Sequence, residues 1–293
     1  MNYKDNLILV NSKQICPACK LEKEAKKHCT TCHSYGFLPI DISGLWNNSN
    51  AFLVCGGPSL NTINYNRLSE RGVISLGINN VAAYVPVNAW VFSDPQEKFH
   101  HGLYMDPKII TFSPIPKLDK RIRIKRDNEF VWDNPVYTFP NTYGFNRKTE
   151  LYPDKFLTEN YAMWGYGGNQ EPKPFICLAT MLLGIRLLCY LGVKRIYLLG
   201  VDFNRTETNQ YAFNQNANPS NSRYIHENEL LKSIYPSLQN NNIEILNCNP
   251  VSKCNVFDSV DFEDALIDCK NGIQEPLDLS GWYEKVDKPE KKG

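Results

Sequence analysis

The 293 residues, 42% hydrophobic and 12% aromatic, suffice for one large domain or a medium domain with a small appendage. A formal net charge of +1 excludes a global field that would draw the whole chain to nucleic acid or anionic lipid. No apolar run reaches the length of a membrane span, and the opening MNYKDNLILVNSK is too interrupted by polar residues for a signal peptide.

The first informative stretch is cysteine-rich. Cys16-Pro17-Ala18-Cys19 and Cys29-Thr30-Thr31-Cys32 are two CxxC knuckles separated by nine residues. Four thiolates close a tetrahedral zinc site, and a closed site leaves no position for water, so the expected role is structural. Such an ion holds together a piece too small to have its own core, here a zinc-ribbon module over residues 1–45. His28 and His33 flank the second knuckle as possible substitute ligands. Lys20, Lys23, Lys26 and Lys27 suit either a phosphate-contacting face or an ordinary solvated surface. Clustered thiols without a secretion signal point to a reducing, cytoplasmic setting.

The main domain is expected over residues 46–284. Phe52-Leu53-Val54 has the character of a strand buried on both faces, and it runs into Gly56-Gly57-Pro58-Ser59-Leu60. Val73–Leu76 is a second such run, ending in Gly77-Ile78-Asn79-Asn80. A third, Ala89–Phe92, exits into Ser93-Asp94-Pro95, and Ile109–Phe112 is a fourth. Glycine, amide and carboxylate residues at strand exits are what the rim of an open α/β nucleotide crevice requires, although a GGPS turn alone is equally at home in an ordinary loop. Lys117–Arg126 alternates basic and apolar residues, which predicts an edge strand with a possible nucleic-acid or acidic-substrate contact. Residues 128–171 are rich in Tyr, Trp, Asn, Pro and Gly without a period, and predict an irregular lid. Phe175–Leu191 predicts a buried helix stopped by Gly192, and Lys194–Phe203 a central strand. A polar loop follows to Ser222, then a helix over Ile225–Leu238, a strand over Ile243–Leu246 and a short helix over Asp261–Asp268. The charged tail, 285–293, predicts disorder. Cys55, Cys177, Cys189, Cys248, Cys254 and Cys269 read as packing residues, and His100 and His101 as exposed.

Three segments in this order resemble the bacterial lipooligosaccharide sialyltransferases. They are CGGPSL followed by INYNRL, LGVKRIYLLGVDFN followed by QYAFN, and NSRYIHENELL followed by ILNCNPVS. The resemblance spans roughly Phe52–Leu266 and excludes the cysteine module. It implies a Rossmann-like, mostly parallel sheet flanked by helices, with a lid. It further implies that His226, placed just after Tyr224, takes the proton from an acceptor hydroxyl, a task suited to a group titrating near working pH. Tyr211 and Asn204 then match the positions that hydrogen-bond the leaving phosphate, where the family keeps two tyrosines. Asn79 and Asn80 match the nucleotide-reading place, Thr180 a serine beside it, and Asp202 a structural aspartate. Gly56 and Asp94 stand where the family has asparagines, and Cys177 stands at or near an arginine, with Lys173 the nearby cation. These departures touch the donor site, and Asp94 raises the question of a divalent ion beside a diphosphate.

The expected function is transfer of a sugar, with inversion, from a nucleotide-activated donor to an acceptor hydroxyl. Phosphate departure is expected to be eased by Tyr211, Asn204 and N–H groups of the Gly56–Gly57 turn, with Pro58 and Ser59 completing it. The acceptor is either a glycan or a hydroxymethylated base in DNA, the latter accounting for the zinc ribbon and the Lys117–Arg126 stretch together. A Mg/ATP-dependent pyrophosphokinase-like enzyme and a non-catalytic zinc-ribbon adaptor are the alternatives.

Overall fold

The computed structural model describes residues 9–32, 34–126, 129–145, 153, 156–157, 180–204, 211–213 and 221–271. The chain opens with β1 (Leu9–Ile15), a short α1 (Lys23–Lys27) and β2 (Phe37–Ile40). Then come β3 (Asn50–Val54), β4 (Ser75–Ile78), β5 (Ala89–Val91), α2 (His101–Met105), β6 (Ile110–Pro114) and α3 (Ile115–Leu118). A hairpin of β7 (Arg121–Arg126) and β8 (Glu129–Pro135) precedes β9 (Thr142–Phe145). The last part contains α4 (Thr180–Tyr190), β10 (Arg195–Leu199), α5 (Ser222–Asn240), β11 (Glu244–Asn247) and α6 (Phe262–Asn271).

Among the described residues nine strands form one sheet in the order β11-β10-β3-β4-β5-β6-β9-β1-β2. From β11 to β9 every pairing is parallel, and β1 and β2 add on antiparallel. The architecture is therefore α/β, with a mostly parallel sheet flanked by helices.

The apolar runs form strands because both faces are covered. Leu53, Leu76, Val91, Ile196 and Leu198 pack beneath α4 and α5, whose Leu183, Leu187, Leu230 and Ile234 are all essentially inaccessible. On the other face Phe52, Val54, Tyr197 and Leu199 meet Phe262, Leu266 and Cys269 of α6, and Leu60 of the turn after β3. A third cluster, around Trp90, Phe92, Tyr104 and Leu118, carries the core toward the β9–β1–β2 edge.

Two segments differ from expectation. The aromatic stretch expected to be an irregular lid is regular through Phe145: β8 pairs with β7, and β9 is inserted between β6 and β1. Its aromatics have packing work, as Tyr143 packs on the main core and Tyr137 and Phe139 on the Trp90 cluster. Most of 146–171, including Trp164–Gly168, lies outside the described residues, as do Lys173, Cys177 and the tail. The basic stretch does form a strand, but in its own two-stranded sheet rather than at the main sheet's edge. Ile122 and Ile124 are buried against the Trp90 cluster while Arg121 and Arg123 face out.

The described part of the expected buried helix is α4, followed by Gly192 at φ +96°. α5 exceeds its expected span at both ends and continues through Pro236. Cys55, Cys254 and Cys269 are buried, whereas Cys189 and Cys248 are half-buried. Among the described residues no helix is long and apolar enough to cross a membrane.

Candidate active site

From β3 the chain moves outward through β4, β5 and β6, and later returns to lay β10 and β11 on the opposite side of β3. The strand order therefore reverses between β3 and β10. In an open α/β sheet the loops diverge at such a point and leave a crevice beyond the carboxyl ends. A cavity of about 240 Å³ opens there. Gly56, Gly57, Pro58, Asn79, Asn80, Asp94, Thr180, Asn204, Tyr211 and Tyr224, scattered over much of the chain, all line it.

The floor is set by two glycines facing each other across β3 and β10. The Gly57 N–H donates to the Gly200 carbonyl at 2.9 Å, and Gly200 sits at φ +65°. A Cβ on Gly57 would lie 2.4 Å from the Gly200 carbonyl oxygen, and one on Gly200 would lie 2.2 Å from that of Cys55. The backbones pass too closely for any side chain.

Asp202 fixes the same turn from β10. Its Oδ2 accepts from the Ser59 N–H at 2.9 Å, and its Oδ1 accepts from Asn249 Nδ2 at 2.7 Å. Ser252 Oγ donates to the Asp202 carbonyl at 3.3 Å and the Lys253 N–H to the same oxygen at 2.8 Å, so the ILNCNPVS segment and the residue after it brace the aspartate. Ser59 is thus a backbone contact behind the cavity and not part of its lining. Of the N–H groups of the Gly56–Gly57 turn expected to face a phosphate, that of Gly57 is committed to Gly200, and the neighbouring Ser59 N–H is committed to Asp202. For Gly57 that expectation is corrected, because the bond that shapes the turn uses its donor.

Asn79, at φ +47°, ties the second and third strand exits together. Its Oδ1 accepts from the Ser93 N–H at 3.3 Å, its Nδ2 donates to Thr180 Oγ1 at 3.2 Å, and its carbonyl accepts from Trp90 Nε1 at 2.8 Å. Ser93 Oγ and Thr180 Oγ1 are 2.7 Å apart. Asn79 and Thr180 therefore position the wall, while Asn80 and the exposed Asp94 stand at its surface.

Over the opposite rim, residues 211–213 fold onto the glycine turn. The Ala212 N–H donates to the Gly56 carbonyl at 3.0 Å, and Phe213 stacks on Tyr84 with ring centroids 4.3 Å apart. Tyr211 and Phe213 lie directly against Gly56, where a Cβ would come within 3.3 Å of both rings. Phe203, at φ +51°, stacks on Tyr224 at 4.9 Å. A bulky residue in the left-handed region is costly and is characteristic of functional loops.

Sequence reasoning missed Glu227. This side chain is 5% exposed and lines the cavity beside Tyr224, whereas His226 is exposed and lies outside the lining. A signal was available: the buried stripe Leu230, Leu231, Ile234, Leu238 extended back one helical turn reaches 227, not 226. Cys55, read as a packing residue, also lines the cavity. Burial pushes its thiol well above the ordinary range, and the carboxylates of Glu227 and Asp202 add to the effect.

A second candidate site joins β1 to β2. The Sγ atoms of Cys16, Cys19, Cys29 and Cys32 all lie within 4.8 Å of one another, and among the described residues they are the cluster able to hold a metal. Cys16 and Cys29 are 3.6 Å apart and Cys19 and Cys32 3.7 Å. A tetrahedron of thiolates at the usual zinc–sulfur length of about 2.3 Å has edges of about 3.8 Å, so the donor set fits. The Gly36 N–H donates to Cys32 Sγ at 3.1 Å, a bond that stabilises a thiolate. His28 is exposed, and His33 lies outside the described residues. Asp94 belongs to no comparable cluster among the described residues.

On the far side of Asp94, the β7–β8 hairpin is tethered by Gln96 Nε2 donating to the Arg121 carbonyl at 3.1 Å. Its outer face carries Phe130 and Trp132, 60% and 59% exposed. The Arg123 guanidinium lies 4.2 Å over the Phe130 ring, and Arg123 is in register with Trp132.

No family model and no curated protein sequence matches the chain. Solved structures do share part of its path. The sialyltransferase CstII from Campylobacter jejuni, in complex with a substrate analogue, cytidine-5'-monophosphate, aligns at 15% identity and a TM-score of 0.40, covering 73% of this chain and 85% of that one. The same sialyltransferase with a trisaccharide acceptor and CMP aligns at 19% identity and a TM-score of 0.36, covering 72% and 85%. The MAf glycosyltransferase from Magnetospirillum magneticum AMB-1 aligns at 10% identity and a TM-score of 0.35, covering 73% of this chain and 32% of that one. These are partial likenesses of chain path, and the site is read below from its own residues.

Proposed function

We propose that the chain is a glycosyltransferase that moves a sugar from a nucleotide-activated donor to an acceptor hydroxyl with inversion. The observation that carries this reading is the convergence of Gly56–Pro58, Asn80, Asn204, Tyr211 and Tyr224 on one cavity at the β3/β10 reversal. Close backbone approach at Gly57 and Gly200 makes room for a nucleotide phosphate. The Tyr211 hydroxyl and the Asn204 amide are donors for the charge that develops on the departing phosphate. Asn80 is placed for the nucleotide, and Asp94 at the rim is the one lining carboxylate suited to a divalent ion beside a diphosphate.

The cysteine cluster holds zinc in this reading, and it does so away from the chemistry, since four thiolates fill the coordination shell. Its reduced thiols accord with a reducing compartment.

For the acceptor we favour a hydroxymethylated base in DNA. The hairpin face of Arg121, Arg123, Phe130 and Trp132 supports it, because guanidinium and ring faces suit phosphates and unstacked bases. A base acceptor would have to be flipped out of the duplex. The same cavity would accept a glycan hydroxyl, including that of a sialyltransferase acceptor.

The test is thermal denaturation against nucleoside mono- and diphosphates, with and without Mg²⁺ or Mn²⁺. A ligand at a hundred times its dissociation constant adds about 2.7 kcal/mol of stability. Stabilisation by one nucleotide without metal is expected, and silence across the panel refutes the reading. Binding of duplex DNA that weakens with salt is expected for the nucleic-acid acceptor. No binding at low salt removes it and leaves the glycan.

A further inference from the structure

We propose that Glu227, not His226, is the general base of the transfer, an inference that rests on the glycosyltransferase reading above. Among the described residues three carboxylates line the cavity: Asp94, Asp202 and Glu227. Asp202 serves as the brace of the glycine turn, accepting from the Ser59 N–H and from Asn249. Asp94 is exposed at the rim. Glu227 is the buried one, on the first turns of α5 beside Tyr224.

Helix geometry decides between the neighbours. Successive residues are turned by about 100°, so Glu227 lies about 60° around the helix from Tyr224 and His226 about 160° from it. Tyr224 is held toward the cavity by its stack on Phe203. That orientation turns Glu227 inward, at the head of the Leu230–Ile234–Leu238 stripe, and turns His226 outward. Bringing His226 into the cavity would require rolling α5 and exposing that stripe. Cys55 lines the same cavity, and its thiol is raised first by burial and further by the Glu227 carboxylate.

The step balances without a co-reactant. The Glu227 carboxylate takes the acceptor hydroxyl proton as the acceptor oxygen bonds to the anomeric carbon. The bond from that carbon to the phosphate oxygen breaks, and its electron pair leaves with the nucleotide. Protonated Glu227 then returns its proton to water.

The experiment follows nucleotide release, with water as acceptor, from CMP-N-acetylneuraminic acid, UDP-glucose, UDP-N-acetylglucosamine and GDP-mannose. E227Q is expected to lose about 100-fold or more in release while nucleotide affinity stays within about threefold. E227D, which keeps the carboxylate but draws it back, falls in between. Azide attacks without surrendering a proton, so it should restore release to E227A and form a glycosyl azide. Release by E227Q within about fivefold of wild type overturns the assignment, as does its loss of nucleotide binding. Loss in H226N with E227Q unaffected overturns it in favour of the histidine. A wild type that binds nucleotide yet releases none from any donor refutes the transferase reading itself, and the base with it.

Discussion

The two ends of the sheet are held by different physics. From β11 to β6 the strands are parallel and covered on both faces, and Phe52, Leu53, Val54, Ile196 and Leu198 have no accessible surface. At the β9–β1–β2 edge the apolar cover gives out along β1 itself. Leu9 and Val10 are buried, while Lys13, Gln14 and Ile15 are exposed. The four thiols begin at the next residue, Cys16, which is again fully buried. A cysteine cluster able to hold a metal begins where the hydrophobic core stops, and a bound ion there would let the sheet run past the volume its side chains can fill. The candidate active-site cavity sits in the half that needs no such help. Residues 9–40 are therefore an extension of one sheet as well as a cysteine module.

The largest effect should come from the glycine crossing in the parallel half. G200A places a Cβ in contact with the Cys55 backbone and a side chain at positive φ, so the strands themselves must separate. A loss of about 3 kcal/mol or more is expected in urea titration, together with loss of nucleotide binding. A G200A protein of wild-type stability would mean that the two strand exits are looser than their hydrogen bond implies.

Removing metal from the other end should be large locally and small at the cavity. Chelation, or C32S, is expected to abolish amide-exchange protection in β1 and β2 and to lower the thermal midpoint. Nucleotide affinity should stay within about threefold. A cavity that fails along with the cysteine site would show the two halves to be coupled through β9. N79A is a milder break within the parallel half. It strips the side-chain bonds to Ser93 and Thr180 and should cost about 1–2 kcal/mol. It should also weaken nucleotide binding, by misplacing Asn80 and Asp94.

Much of this division was legible in the sequence, because local pattern and tertiary role coincide there. Val54 running into Gly56-Gly57, and the CxxC pair, each declare their chemistry within a few residues. What was hidden depended on contacts between distant segments. Nothing near Thr142 announces that β9 will be the hinge between parallel and antiparallel strands. The donors of the glycine turn looked available until Gly200 and Asp202, far along the chain, were found to occupy them. His226 attracted attention through its place after Tyr224 in the resembling segment, whereas the phase of α5 turns Glu227 toward the cavity lining. Residue type identifies a candidate, and helical phase decides which candidate reaches the cavity.

The smallest effect probes the amino ends of the same parallel strands, opposite the cavity. Asp268 on α6 accepts at Oδ2 from Asn50 at 2.7 Å, Arg195 at 2.9 Å and Tyr197 at 2.5 Å, binding the starts of β3 and β10 to the helix. Partial burial pushes this carboxyl up, but the Tyr197 and Arg195 bonds outweigh it and hold the group below its ordinary range. The folded state thus favours the ionised form. Its contribution is complete above the unfolded aspartate value and is lost as pH falls through the lower folded value. D268N should cost about 1 kcal/mol at neutral pH, a modest figure because the pair is a third exposed. The gap between wild type and D268N should close on acidification below about pH 4, as read by urea midpoints across that range. Nucleotide affinity should not change. Since G200A and D268N act on opposite ends of β10, only the first should reach the ligand, and equal losses of binding in both would mean that the parallel half responds as a single rigid block.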